Sequence, residues 1–179
     1  MSLADAAVFL LLAIIAIAGV LTFVYELSLF TLPPFVPAPK SSLAAVVRAL
    51  DLRPGLRVID LGCGDGRVLE TALAAVPGIA AAGVDRNHFP LWLARLRLGR
   101  RAELRREDFF TTPLAGVDRV YLYCWPTVLE KLLPKFEREL KPGARVVSAD
   151  FALKNRPASR TIAVPGPQKR VRTLYVYDF

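Results

Sequence analysis

The residues most able to do chemistry in this sequence stand together in Val58-Ile59-Asp60-Leu61-Gly62-Cys63-Gly64-Asp65-Gly66-Arg67, where three alternate glycines sit among carboxylates. A β-rich run empties into this turn and a helical pattern opens after it. Glycine has no Cβ, so the backbone can turn sharply and come into contact with a ligand, and the helix start offers unpaired N–H groups. The chemistry such a turn supports is the binding of a nucleoside.

A dinucleotide site has the spacing G-x-G-x-x-G, whereas this turn reads G-x-G-x-G with Asp60 before it and Asp65 inside it. Those carboxylates repel a pyrophosphate but not the ammonium and sulfonium of S-adenosylmethionine (SAM). The expected cofactor-binding set at this turn is therefore Asp60, Gly62, Cys63, Gly64, Asp65 and Gly66. Gly83-Val84-Asp85-Arg86 follows about 20 residues later, where an acidic side chain at a strand end holds a ribose diol. Asp85 is the expected ribose ligand with Arg86 beside it; its alternative is a helix N-cap before Asn87-His88.

Glu107-Asp108-Phe109-Phe110 closes the third strand with a carboxylate able to accept from an adenine amino group and rings able to cover the base. Asp108 and Phe109 are the expected adenine pair, with Phe110 equally assignable to the core. After the fourth strand, Tyr121-Leu122-Tyr123-Cys124-Trp125-Pro126 offers Tyr123 and Trp125 as the wall of a methyl-acceptor channel, since rings favour the diffuse positive charge of methyl transfer. The alternative there is a core strand with Tyr and Trp buried. His88, the single histidine, is expected at a helix cap or on the surface rather than as a general base.

The elements that must position these groups alternate short β-rich runs with helical ones. Strands are predicted over 57–61, 80–85, 102–107, 119–124, 144–149, 161–164 and 172–177, and helices over 43–50, 67–75, 89–98 and 127–140. Ser41 and Ser42 are the expected N-cap of the first of these helices. The alternation predicts an α/β, doubly wound, Rossmann-like and mostly parallel sheet of seven strands. The last two runs are joined through Pro165-Gly166-Pro167 without a helix, so they should form a hairpin with an antiparallel strand.

Residues 6–25 contain no charge, and only Gly19 and Thr22 depart from the apolar set. About 20 helical residues cover roughly 30 Å, the hydrocarbon thickness of a bilayer. A cleaved signal would show a basic start and a small-residue cleavage site; here Asp5 precedes the run and no Lys or Arg does, so a retained anchor is expected. The organisation expected is an anchor over 1–30, a proline-rich linker over 31–40 and a catalytic domain over 41–179. All 24 Lys and Arg lie at Lys40 or beyond, which predicts a cytoplasmic domain.

That domain carries 24 basic against 14 acidic residues, a surplus suited to anionic or membrane-apposed partners. The arginines at 95, 97, 100, 101, 105 and 106 read as a solvated face, and no specific nucleic acid is expected because nothing aromatic interleaves them. Two cysteines and one histidine do not make a zinc ligand set, so no metal is expected and both thiols should be free.

With these residues in hand, the chain resembles the class I, seven-β-strand SAM-dependent methyltransferases over residues 37–179, the Asp60-to-Arg67 turn being the specific sign. Within them it is similar to the small membrane-anchored lysine methyltransferases that modify the c-ring protein of ATP synthase and the adenine nucleotide translocase. Phe35-Val36-Pro37-Ala38-Pro39, Leu129-Glu130-Lys131, Glu139-Leu140-Lys141-Pro142-Gly143-Ala144-Arg145-Val146 and Leu174-Tyr175-Val176-Tyr177-Asp178 carry that likeness. The resemblance implies a sheet with its last strand antiparallel, SAM as cofactor, and a lysine of a membrane protein as acceptor. Cys124-Trp125-Pro126 departs from the Val-Pro type of wall in that family, so a lipid or quinone acceptor, or a non-catalytic SAM-binding scaffold, stands as the alternative.

Overall fold

The computed structural model describes residues 3–31, 36–166 and 171–179, with side chains from 5 to 24 in the first of these stretches. The chain divides into two compact units, Met1–Phe35 and Val36–Phe179.

The described residues of the first unit form one helix, α1 (Leu3–Thr31). Its Asp5–Val24 stretch has a mean hydropathy of 2.9 and contains no buried residue, so α1 is long and apolar enough to cross a membrane. Thr22 donates its hydroxyl to the Ala18 carbonyl, 2.8 Å away, which satisfies a polar group without a partner outside the helix.

The second unit begins with α2 (Lys40–Leu50), continues through β1 (Arg57–Leu61), α3 (Arg67–Ala75), β2 (Ala80–Val84), α4 (His88–Leu98), β3 (Glu103–Arg105), β4 (Arg119–Leu122), α5 (Pro126–Glu139) and β5 (Arg145–Ala149), and ends in β6 (Arg160–Pro165) and β7 (Val171–Asp178). The expected serine cap is not what starts α2. The helix begins at Lys40 with Pro39 as its cap, because Pro39 already holds an extended backbone; Ser42 instead donates to the Pro39 carbonyl and Ser41 to the Pro165 carbonyl.

The strands form one seven-stranded sheet in the order β3-β2-β1-β4-β5-β7-β6. β1 to β5 pair in parallel, and β7 lies antiparallel to both β5 and β6, as the missing last helix predicts. Four consecutive residues of β1, Val58 to Leu61, are buried, as a strand covered on both faces must be. Alternation then sorts them: Val58 joins the core under α2 and α3, while Ile59 and Leu61 join the core under α5. Asp60 therefore lies on the Val58 face.

β1 connects outward to β2 on one side while β4 and β5 build on the other, so the carboxyl ends of β1 and β4 flank the point where the winding reverses. Three strands end earlier than expected. β2 stops at Val84, β3 at Arg105 and β4 at Leu122, which leaves Asp85, Asp108 and Tyr123 in the loops beyond this edge. Pro126 opens α5 and holds Trp125 in an extended conformation, which ends pairing after β4.

Candidate donor and acceptor sites

The β1–α3 turn is fixed by its neighbour strand. Gly62 and Cys63 both donate their N–H to the Val84 carbonyl, at 2.8 and 2.9 Å, and Gly64 donates to Asp85 Oδ2 at 2.9 Å. Asp85 Oδ1 accepts from Asn87 N at 2.8 Å, so this carboxylate ties the two turns together. The helix cap is Asn87, whose Oδ1 accepts from Phe89 N, and this removes the capping alternative for Asp85. His88, exposed in the first turn of α4, touches none of the carboxylates by any hydrogen bond among the described residues.

The three glycines do different things. Gly62 is exposed at φ +86°, and a Cβ there would meet nothing within 4 Å, so its open side is available to a ligand. Gly64, at φ +55°, takes the second left-handed position of the turn. Gly66 faces the protein: a Cβ would lie 2.7 Å from Leu98 Cδ1 and 3.1 Å from Ala94 Cβ, so it serves the close contact of α3 with α4. Gly83 has a similar duty beneath Cys63, whose Sγ would lie 2.9 Å from its Cβ.

The acidic residues of the turn also divide. Asp65 is buried in a double ion pair, with Arg67 at 2.7 Å and Arg97 at 3.1 Å. Burial opposes its charge, but hydrogen bonds and charge from Arg67 and then Arg97 hold its carboxyl below the ordinary range. Asp65 keeps its charge but is ion-paired within the protein, so among the described residues the carboxylates of this edge not held by an arginine are Asp60 and Asp85. Asp60 is 2% exposed, and its Oδ1 has no hydrogen-bond partner among the described residues. Burial pushes its carboxyl well above the ordinary range, and the charges of Asp85 and Asp65 add to this.

An orphaned buried carboxylate oxygen beside an open left-handed glycine fits a ligand that brings a cationic donor to that point, as the ammonium of SAM would. Cys63 is buried, and burial together with Asp60 and Asp85 pushes its thiol up, so it is a neutral packing group and not a nucleophile. Burial pushes the Cys124 thiol up to about 12 as well. Neither cysteine is in a disulfide.

At the β3 end, Asp108 Oδ1 accepts from Phe110 N at 2.9 Å and Oδ2 lies 3.5 Å from the exposed Arg86 guanidinium. The structure separates the two phenylalanines: Phe109 packs against the core under α5 while Phe110 is 37% exposed, their ring centres 5.1 Å apart.

On the other side of β1, Tyr123 and the 58%-exposed Trp125 both stack on Phe151, at centroid distances of 6.2 and 6.0 Å. Arg172 lies over the Tyr123 ring, 4.6 Å from its centroid, and is held there by a bidentate pair with Asp150. Asp150 itself turns the chain at φ +64° and donates its N–H to Thr173 O. Tyr123 and Trp125 are therefore brought together, but by residues that sequence reasoning missed. Phe151 carried a signal, an aromatic just past the carboxyl end of β5. Arg172 carried none, because only the antiparallel course of β7 brings its first residues to that edge.

The segment ahead of the sheet lies next to the donor turn, since Arg67 donates from Nη1 to the Ala38 carbonyl at 3.0 Å. Phe35, the first residue of the segment that carries the family likeness ahead of the domain, and Pro167 of the hairpin turn lie outside the described residues.

Residues 60–160 match the ANTKMT methyltransferase domain family. A protein-lysine N-methyltransferase of Saccharolobus islandicus is 31% identical over 149 residues, covering 80% of this chain and 92% of that protein. An adenine nucleotide translocase lysine N-methyltransferase of Mus musculus is 34% identical over 151 residues, covering 81% of this chain, and there the chain spans 62% of the relative's length. Among solved structures, an RNA methyltransferase from Salinibacter ruber in complex with S-adenosyl-L-homocysteine superposes with a TM-score of 0.73 at 28% identity, covering 80% of this chain and 93% of the other.

Proposed function

The chain belongs to the ANTKMT methyltransferase domain family and is a SAM-dependent methyltransferase, and on that premise we propose that it methylates lysine in a membrane-embedded protein while α1 holds it to the bilayer. The acceptor class follows the relatives at 31% and 34% identity, which are protein-lysine N-methyltransferases, one of them acting on the adenine nucleotide translocase. The observation that carries the reading in this chain is the wall made by Tyr123, Phe151 and Trp125, an aromatic surface suited to an alkylamine that becomes a methylated cation.

Bound SAM supplies an electrophilic methyl group on a sulfonium. In the proposed division of labour, Asp60 and the open side of the turn at Gly62 hold its amino-acid end, and Asp85, fixed by Gly64, its ribose. Asp108, with Arg86 alongside and Phe109 or Phe110 over the base, holds its adenine. Neighbouring strands lie about 4.8 Å apart, so the loops after β4 and β5 stand within roughly 10 Å of the β1 turn. The aromatic wall then orients the amine and excludes water, and catalysis is mostly positioning.

A lysine acceptor must arrive without its proton. Desolvation at the aromatic wall and the sulfonium of the bound donor both disfavour the ammonium form, while the Arg172–Asp150 ion pair rests over the Tyr123 ring.

The orientation proposed for α1 puts the domain on the cytoplasmic side, since every Lys and Arg follows the helix. The test is incubation of the purified full chain with labelled SAM and membranes, followed by separation of protein from lipid. Label on lysine of a small membrane protein is the expected result; label confined to the lipid extract, or none, would overturn the acceptor assignment.

A further inference from the structure

Helix α4 is apolar on two opposite sides. Pro90, Leu91, Ala94 and Leu98 are buried against the sheet, as an amphipathic helix requires. Phe89, Trp92 and Leu96 nevertheless point outward, 63%, 46% and 66% exposed. At 3.6 residues per turn these three fall within an arc of about 60°. Phe89 and Trp92 stack on each other with centroids 6.3 Å apart, so the stripe is an ordered surface. Exposed Arg95 borders it and exposed Arg100 follows its end, and neither has an ion-pair partner among the described residues. Phe89 and Trp92 precede the basic run that begins at Arg95, so the exposed rings and the arginines adjoin on the same helix.

We infer that the outward face of α4 is a second membrane contact, with Phe89, Trp92 and Leu96 entering the interface of an anionic bilayer and Arg95 and Arg100 meeting its headgroups. Aromatic and aliphatic groups on one face with arginines at the border are the composition of a helix that lies in the plane of an interface. Charge selects the occupant. The residues from Lys40 onward hold 24 basic against 14 acidic groups, so a second copy presenting the same face is repelled while anionic lipid is attracted. Leu96 has no π-face for a nucleobase, which disfavours a stacking platform for single-stranded nucleic acid. The inference rests on the anchoring proposed above, which brings the domain to a bilayer.

The experiment uses the full chain carrying Trp125→Phe, which leaves Trp92 as its one tryptophan, in vesicles of phosphatidylcholine with or without phosphatidylglycerol and with bromine on part of the acyl chains. Trp92 emission should shift to the blue and be quenched in the anionic vesicles. Joint replacement of Arg95 and Arg100 by Ser should lower the docked-to-undocked ratio by roughly thirtyfold, about fivefold per arginine near an anionic surface. Trp92→Phe with Trp125 intact is the complementary chain, and should lose the quenchable emission.

Resistance to alkaline carbonate extraction reads α1 separately. Unquenched Trp92 in a carbonate-resistant chain overturns the α4 contact and leaves the anchor standing; quenched Trp92 in an extractable chain does the reverse. Equal quenching with and without anionic lipid, cross-linking between copies through α4, or quenching of Trp92 only by added oligonucleotide also overturns it.

Discussion

Replacing Asp60 by Asn should make the ligand-free protein more stable and the donor complex weaker. Asp60 is 2% exposed, an oxygen of its carboxylate lacks a hydrogen-bond partner among the described residues, and burial with the charges of Asp85 and Asp65 raises its carboxyl. A raised carboxyl means that the fold retains a proton the unfolded chain has released. Stability attributable to this residue is therefore intact in acid and falls as pH rises from the unfolded carboxylate range through the raised folded value. The amide carries no such dependence, so the variant's advantage is small in acid and grows with pH. What the amide removes is the buried, unpaired charge, worth about 1–3 kcal/mol, which corresponds to a melting temperature higher by roughly 3–10 °C once the pH is above the raised value.

The donor's ammonium pairs with the carboxylate in the proposed site. Loss of a hydrogen bond between charged groups, about 1.5–3 kcal/mol, weakens binding by roughly 10- to 150-fold. In the native protein this binding should also weaken as pH falls through the raised value, because a protonated Asp60 no longer attracts the cation. Thermal unfolding of the ligand-free full chain across pH, paired with calorimetric titration of S-adenosylhomocysteine, measures both arms. An Asn variant that melts below the native protein at every pH would refute the account of a strained carboxylate. One that binds the nucleoside with native affinity and native pH dependence would remove Asp60 from the site.

Two glycine substitutions should separate ligand approach from packing. Gly62→Val places a branched side chain at φ +86° on the open side of the turn, and should abolish S-adenosylhomocysteine binding at a backbone cost of about 1–3 kcal/mol, read by calorimetry and melting. Gly66→Ala drives a Cβ to 2.7 Å from Leu98, and should lower stability by about 1–3 kcal/mol while the folded fraction keeps its donor affinity. Trp125→Ala removes an exposed ring whose contact with Phe151 is worth about 0.5–1.5 kcal/mol, so acceptor kcat/KM should fall while donor affinity and melting change little. Arg172→Lys keeps the charge but loses the bidentate hold on Asp150; methyl transfer should fall with donor Kd unchanged, and an unchanged rate would detach this pair from the acceptor wall.

The sequence by itself determined whatever depends on neighbours along the chain. Periodicity located every strand and helix of the sheet domain, and the missing helix before the last strand predicted its antiparallel course. The glycine-rich turn was legible because its residues are consecutive, from Asp60 through Gly64. The apolar run in α1 was legible for the same reason. Strand ends were not, since a ladder stops where its partner stops. β4 ends at Leu122 because Pro126 opens the next helix, and β3 is short because it lies at the sheet edge with β2 as its one neighbour.

Tertiary structure alone decided which carboxylates are ion-paired within the protein and which are left without an arginine. Asp65 stands in the same motif as Asp60, yet Arg97, 32 residues away, pairs with it. The same holds for Gly66, whose purpose is visible only once α4 packs against it, and for Arg172, carried to Tyr123 by a strand that runs against the others. α4 makes the point from the outside: spacing shows that it has two apolar sides, but only the docking of one of them onto the sheet reveals which aromatics are left facing out. Charge pairing and packing act through space, and distance in space is fixed by the whole set of strand pairings at once.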